Sequence, residues 1–244
     1  MTKSTVSKLC VFLSVLFISL FTFAEEKSPW AHESEVGLVK VSGNTDSESY
    51  NGKQKTVYSF DQNALTLAGR YLEAKTAGTQ TAKSWEASLR YERILSEQWS
   101  MFAQQGAESD SFAGYTERDN SDLGAKYTIY KMDSENLFAE AGYRYTKTLP
   151  SLGAETKYES YGRLYSEYDR KLNSHVSAKL WAEYLPNLTN SDAYLVNYEP
   201  SVAVVLNSLF SLKMSYLVKY HNKTILPTEK KTDSTFTTAL VAKF

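Results

Sequence analysis

The sequence is dominated by segments in which apolar and polar residues alternate with a period of two. This alternation is typical of β-strands, because successive side chains of a strand point to opposite faces. The predicted strands are about ten residues long, close to the roughly 9 to 11 residues that a tilted strand needs to cross a bilayer. Twelve such segments occur after Trp30: Glu33–Ser42, Ser47–Phe60, Leu65–Tyr71, Trp85–Tyr91, Trp99–Ala107, Leu123–Ile129, Leu137–Tyr145, Tyr158–Tyr168, Val176–Tyr184, Tyr194–Leu206, Phe210–Tyr220 and Phe236–Phe244.

The connections between these segments alternate in length. Outer-membrane barrels have short periplasmic turns and longer external loops. The short connections are 61–63, 96–98, 132–136, 170–174 and 207–208. The longer ones are 76–83, 110–119, 149–156, 186–193 and 222–231. The pattern predicts an all-β fold, a transmembrane antiparallel β-barrel of about twelve strands in up-and-down order, with its amino terminus in the periplasm. Pro200 interrupts one strand, where we expect a bulge or weak pairing.

Aromatic residues recur near both ends of the predicted strands, on the apolar face. Amphipathic rings favour the headgroup level of a bilayer, so two belts are expected. The periplasmic belt would contain Phe60, Trp99, Tyr168, Phe210 and Phe244. The external belt would contain Tyr50, Trp85, Tyr158, Tyr184, Tyr194 and Tyr220.

The amino terminus has the organisation of a secretory signal peptide. Two lysines precede an apolar run from Leu9 to Phe23, and Ala24 stands before Glu25 as the expected cleavage site. We therefore expect a signal peptide over 1–24, a periplasmic segment over 25–32 and a barrel over 33–244. Cys10, the single cysteine, would be lost on cleavage, which excludes disulfides and thiolate chemistry from the mature chain.

The charge balance excludes a class of partner. The chain has 27 Lys and Arg against 28 Asp and Glu, so it lacks the basic excess of a nucleic-acid-binding protein. The mean hydropathy of −0.41 is expected for a barrel, because only alternate residues face lipid. The expected partners are outer-membrane lipid and lipopolysaccharide.

A short motif links the chain to a known family. Glu35-Val36-Gly37 opens a strand and Ser42-Gly43-Asn44-Thr45-Asp46 closes it, where Gly and Asn tolerate positive φ in a tight turn. This segment resembles a bacterial family, domain of unknown function 481, whose members are labelled salt-induced outer-membrane proteins. The resemblance implies an outer-membrane barrel of a Gram-negative bacterium, and it implies no activity, ligand or catalytic residue. The terminal Phe244 resembles the assembly signal that the barrel-assembly machinery recognises.

The orientation of the first strand is ambiguous from the sequence. If Val36 and Leu38 face lipid, Lys40 does so too, and a lysine at the bilayer midplane costs about 2 to 4 kcal/mol. We therefore expect the opposite phase, with Val39 and Val41 facing lipid.

Charged residues of both signs lie on the polar face of the strands. Two interpretations remain open: a paired network that fills the lumen, and a narrow water-filled pore for small polar solutes or ions. The candidate lumen-lining charges are Arg70, Glu86, Arg90, Glu92, Glu140, Arg144, Arg163, Glu167, Lys179, Glu183, Glu199 and Lys213.

An enzyme is the third and least favoured hypothesis. The three histidines are His32, His175 and His221, and only His221 falls at the external rim, with Asp192 as its candidate partner. One histidine at a strand end is usually a solvated rim residue, so no catalytic residues, cofactor or metal are expected.

Overall fold

The structure, a computed structural model, describes residues 28–42, 46–224 and 230–244, and it contains twelve β-strands. The predicted signal peptide, its cleavage site at Ala24 and Glu25, and the Gly43-Asn44-Thr45 part of the turn motif lie outside these residues. The strands are β1 (Trp30–Val41), β2 (Ser47–Phe60), β3 (Asn63–Thr76), β4 (Thr79–Ile94), β5 (Trp99–Asp110), β6 (Tyr115–Lys131), β7 (Glu135–Pro150), β8 (Lys157–Lys171), β9 (Val176–Pro186), β10 (Tyr194–Val205), β11 (Phe210–His221) and β12 (Thr232–Lys243).

The strands form one closed antiparallel barrel. Each strand pairs with its neighbours in the sequence, and β12 pairs with β1 to complete the ring. The predicted fold class, strand number and up-and-down order are therefore confirmed. A short 3-10 helix, Ser151–Gly153, follows β7. No helix among the described residues is long and apolar enough to cross a membrane.

The outer face of the barrel is apolar between two rings of aromatic side chains. Leu67, Leu123 and Leu164 are each more than half exposed on this face. At the external end, the ring of Tyr194 lies 5.9 Å from the rings of both Tyr184 and Tyr220. Both predicted belts lie on the face opposite the charged side chains, because the ladder registers preserve the alternation.

The chain termini meet at the periplasmic end. The backbone N–H of His32 donates to the carbonyl of Phe244 at 2.7 Å, and the N–H of Phe244 donates back at 3.1 Å. The two rings lie 5.3 Å apart. β1 begins at Trp30 rather than at residue 33, because Trp30 pairs with Tyr58 of β2. The role of Phe244 in assembly stays a prediction.

Two predicted external loops are shorter than expected. The chain over 76–83 is mostly strand, and β3 and β4 are joined by Ala77 and Gly78, with φ of 49° and 78°. Positive φ at both residues suits a two-residue hairpin turn. The loop expected over 110–119 contracts to 111–114, since β6 begins at Tyr115.

The predicted phase of β1 is wrong. Glu33 and Glu35 line the interior, and the β1–β2 register continues without a shift, so Val39 faces inward and Leu38 outward. The physical reason is that Glu35 determines which face of β1 points inward. Its carboxylate needs a cationic partner in the lumen, and this requirement outweighs the cost of turning Lys40 to the outer face. Lys40 pairs with Glu48 beyond the external aromatic belt, where a lysine is hydrated.

Pro200 weakens one ladder without changing its register. Its partner on β9 is Leu180, but the pairs between β10 and β11 skip from Tyr198 with Val218 to Ser201 with Ser215. The missing amide donor of proline accounts for weak pairing rather than a bulge.

Candidate functional site

The barrel encloses a cavity of about 520 Å³ to which all twelve strands contribute. On β11 alone, the lining extends from Lys213 to His221 at the external end of the strand. The cavity therefore follows the barrel axis over much of the strand length. Among the described residues, its wall carries nine basic side chains (Lys and Arg) and nine acidic ones.

The structure brings the twelve candidate charges together on the inner face, in two kinds of environment. Arg90, Glu92 and Glu140 lie outside the cavity lining, towards the periplasmic end of β4 and β7, in a network of ion pairs. The remaining nine line the cavity: Arg70, Glu86, Arg144, Arg163, Glu167, Lys179, Glu183, Glu199 and Lys213.

The centre of the network is Glu140 on β7. Its side chain is 3% exposed, and both of its oxygens accept hydrogen bonds. Arg90 donates to the two oxygens at 2.8 and 3.2 Å, and Arg163 donates at 2.7 Å. Arg90 also donates to Glu92 at 2.9 Å. Planar guanidinium groups suit this arrangement, because each can contact two carboxylates in fixed directions.

The network continues along the wall through a second pair of carboxylates. Arg144 donates to both oxygens of Asp122, at 2.6 and 2.7 Å. Glu183 accepts from Arg163 at 2.8 Å and from Arg144 at 3.2 Å. We call the side chains of this cluster the packed network: Arg90, Glu92, Asp122, Lys126, Glu140, Arg144, Arg163 and Glu183.

One aromatic side chain supports the packed network from the barrel wall. Phe102 is 2% exposed, and the guanidinium of Arg90 lies 3.9 Å from its ring centre. Space for the ring comes from a glycine pair, because a Cβ at Gly124 would lie 2.8 Å from the Phe102 ring. Gly142 is paired directly with Gly124 on the next strand. The inward-facing Phe102 ring thus occupies the space that the two glycines leave, and the charged side chains of the packed network cover it.

The other side of the lumen carries lysines instead of arginines. Lys53 donates to both oxygens of Glu199 at 3.0 Å, and Lys213 donates to Glu35 at 2.6 Å. Lys53 lies 4.0 Å from Glu35. We call the part of the lumen that is lined by β1, β2 and β9 to β11 the open side.

Two further pairs mark the ends of the open side. Lys179 donates to Glu167 at 2.7 Å, and the lysine side chain is 41% exposed. Towards the external end, Lys219 lies 4.0 Å from Glu108. The strands that carry this second pair, β11 and β5, stand on opposite sides of the ring, so the pair spans the lumen.

Several charges of the site were missed by the sequence reasoning. Glu35 and Lys53 lie in the two segments that alternate least cleanly. Asp122 lies just outside the predicted strand that starts at Leu123, and extending that alternation by one residue would have found it. Glu108 follows a predicted strand end at Ala107 in the same way.

The histidine hypothesis gains no support from the geometry. His221 lines the cavity, whereas the carboxylate of Asp192 lies 3.5 Å from Lys223 and its carbonyl accepts from Asn222. Within the described ranges, no group of three His, Cys, Asp or Glu side chains is arranged to hold a metal ion.

Solved structures with a similar fold are outer-membrane barrels. The NanC porin has a TM-score of 0.51 at 8% identity, covering 88% of this chain and 98% of that chain. The KdgM porin has a TM-score of 0.47 at 10% identity, with the same coverage of 88% and 98%. The translocator domain of the autotransporter NalP from Neisseria meningitidis has a TM-score of 0.45 at 10% identity, covering 98% and 95%. At a TM-score of 0.51 and 8% identity, the likeness to the NanC porin concerns the fold alone.

The sequence comparison assigns the chain to a family whose function is not known. No curated protein is significantly similar in sequence to the chain. The family described as "Protein of unknown function, DUF481" matches residues 34–244, which includes every strand except the first residues of β1. The fold is that of the outer-membrane β-barrels, and the chain belongs to the DUF481 family.

Proposed function

We propose that the protein is a narrow pore for small ions and hydrated polar solutes. The observation that carries the proposal is the axial cavity, whose wall holds equal numbers of acidic and basic groups. A lumen lined by charges of both signs keeps water and ions in favourable contact along the route.

A cluster of four charges on the open side, Glu35, Lys53, Glu199 and Lys213, borders the proposed route. Lys53 reaches from β2 to Glu199 on β10, and Lys213 reaches from β11 to Glu35 on β1. These contacts bring side chains of non-adjacent strands together. An ion that passes them must exchange with their ion pairs, so the lysines are expected to set the conductance.

Planar-bilayer recording of the refolded protein tests this function. Steady unit currents are expected, and Lys53→Gln is expected to change the unit conductance at least twofold, since it removes a charge that bridges the lumen. Lys147→Gln is the matched control, because Lys147 lies on the outer face near the external end and is 44% exposed. Absence of unit currents in protein with normal heat-modifiable mobility would contradict the proposal.

A non-conducting barrel is the second candidate, and the lumen-spanning contact between Glu108 and Lys219 favours it. In that case the refolded protein carries no current, and Lys219→Gln carries none either. A role in osmotic adaptation rests on the family resemblance alone. Growth of a deletion strain at high salt tests it, with normal growth as the contradicting result.

A further inference from the structure

The junction that closes the barrel is paired over only part of its length. Ladder pairs between β1 and β12 are confined to Glu33–Val36 with Leu240–Lys243. By contrast, β1 pairs with β2 along its whole length, and β12 pairs with β11 from Ala242 to Thr232. The β1 edge over 37–41 and the β12 edge over 235–239, which the same register would join, therefore face each other without ladder pairs.

The ladder ends at a glycine held against the opposite strand. A Cβ at Gly37 would lie 2.5 Å from the carbonyl oxygen of Thr238 and would also collide with the side chain of Asn51. Only glycine permits this close approach. The two strands thus approach most closely at Gly37. On the external side of Gly37 the two strand edges form no ladder pairs, and we call them unladdered.

The unladdered β12 edge lies at the level of the external lipid leaflet, and the β1 edge rises from that level at Leu38 to beyond the external aromatic belt. Leu38 pairs with Tyr50, and Thr232 pairs with Tyr220, and both tyrosines belong to the external aromatic belt. The β12 residues from Ser234 to Thr238 lie on the membrane side of that belt. Unpaired backbone groups are costly in hydrocarbon, so these edges need polar partners from the lumen or from a headgroup.

The rim of this gap is apolar, and the space behind it is polar. Leu38 and Val39 point to opposite faces of β1, yet they are 56% and 51% exposed. Phe236 on the outer face of β12 is 66% exposed. Behind the gap, Thr235 and Thr237 of β12 line the charged cavity.

We propose that the external half of the β1–β12 junction is a lateral opening through which a single-chain amphiphile of the outer leaflet enters the barrel. The acyl chain lies against Leu38, Val39 and Phe236, and the headgroup lies among the charges of the cavity. Such a molecule matches both the apolar rim and the polar space behind it. Its acyl chain contacts the apolar residues, and its headgroup supplies polar partners for the backbone edges. This route goes beyond axial permeation and does not depend on it.

Cysteine pairs across the junction test whether the gap exists. The only cysteine of the sequence, Cys10, falls in the predicted signal peptide, so introduced pairs are free of competition. Val36→Cys with Leu240→Cys joins two residues of the ladder and serves as the control. Val39→Cys with Thr237→Cys continues that register into the gap. Mild oxidation is expected to cross-link the control pair at least fivefold faster, and equal rates would overturn the proposal.

Fluorescence quenching tests the occupant with single substitutions. A bimane on Thr237→Cys faces the lumen, and a bimane on Ser88→Cys faces the lumen from β4, four strands away around the ring. The probe is stearic acid with a nitroxide on its chain, added to protein in bilayers. We expect at least threefold stronger quenching at position 237 than at position 88. Equal quenching would overturn the proposal, whether or not the protein conducts ions.

Discussion

The two sides of the lumen accommodate their inward-facing charged side chains in different ways. Both carry acidic and basic side chains on inward-facing strand positions, but the packed network joins them through arginines in many short ion pairs, whereas the open side carries lysines that are more exposed to the cavity. The carboxylates are buried on both sides, with Glu140 3% and Glu199 5% exposed, and the cations differ. Arg144 and Arg163 of the packed network are 14% and 7% exposed, whereas Lys53 and Lys179 of the open side are 24% and 41% exposed. Similar composition therefore produces a filled wall on one side and a solvated wall on the other.

The choice of cation explains much of this difference. Arginine lines the lumen from β3 to β8, at Arg70, Arg90, Arg118, Arg144 and Arg163. Lysine predominates elsewhere, at Lys53, Lys55, Lys179, Lys213 and Lys219. Guanidinium groups bind several carboxylates in fixed directions and stack on rings, so they form a dense network. Ammonium groups are compact and strongly hydrated, so they favour a wall that borders water.

The largest effect is expected from reversing a charge in the packed network. Arg90→Glu would place a third carboxylate beside Glu92 and Glu140, where little water can screen it. We expect a loss of about 3 to 5 kcal/mol in the free energy of unfolding. Urea unfolding in detergent micelles, followed by tryptophan fluorescence, measures this loss. An unchanged midpoint would show that this side is solvated as well, and the comparison would fail.

Removing the aromatic support should have the next largest effect. Phe102→Ala leaves a void between the Gly124–Gly142 pair and Arg90, with an expected loss of about 3 kcal/mol in the free energy of unfolding. Phe112→Ala is the control, because Phe112 lies in the external loop 111–114 and is 51% exposed. The same unfolding assay measures both variants. Equal effects would mean that Phe102 contributes no packing of its own.

Charge reversal on the open side should change selectivity more than stability. Lys179→Glu places a carboxylate beside Glu167, but its exposure limits the expected loss to about 1 kcal/mol or less. If the lumen conducts, reversal potentials in a salt gradient should shift towards cation selectivity. Lys147→Glu makes the same charge change on the outer face and should leave selectivity unaltered. A destabilisation equal to that of Arg90→Glu would erase the distinction between the sides.

The smallest expected effect is the response of the variants' selectivity and stability to ionic strength. Raising the ionic strength from 0.1 to 1 M shortens the Debye length from about 10 to about 3 Å, and exposed charges are screened most. The selectivity difference between Lys179→Glu and the unmodified protein should therefore shrink at 1 M salt. The difference in stability caused by Arg90→Glu should stay within about 0.5 kcal/mol, because direct contacts in the network exclude ions. Unfolding midpoints at both salt concentrations check this expectation, and an equal decline of both differences would contradict it.

The sequence by itself determined the local geometry of this protein. Alternation with period two indicated which residues form strands, and it indicated the inner and outer faces wherever one face is clearly apolar. From Phe210 to Tyr220, for example, every outward residue is apolar or aromatic, so only one phase is compatible with a bilayer. β1 lacks this contrast, because valines occur in both phases, and the local pattern there predicted the wrong face.

Tertiary structure decided which of the inward charges meet. Arg90 contacts Glu140 and Lys53 contacts Glu199 across separations of 50 and 146 residues, and Glu35 finds Lys213 only because the ring closes. Alternation determines whether a side chain faces the lumen, but its height and its partners depend on how far each strand is displaced along its neighbour. That displacement accumulates around the whole barrel, so the packed network, the open side and the short β1–β12 ladder follow from ring closure and not from any single segment.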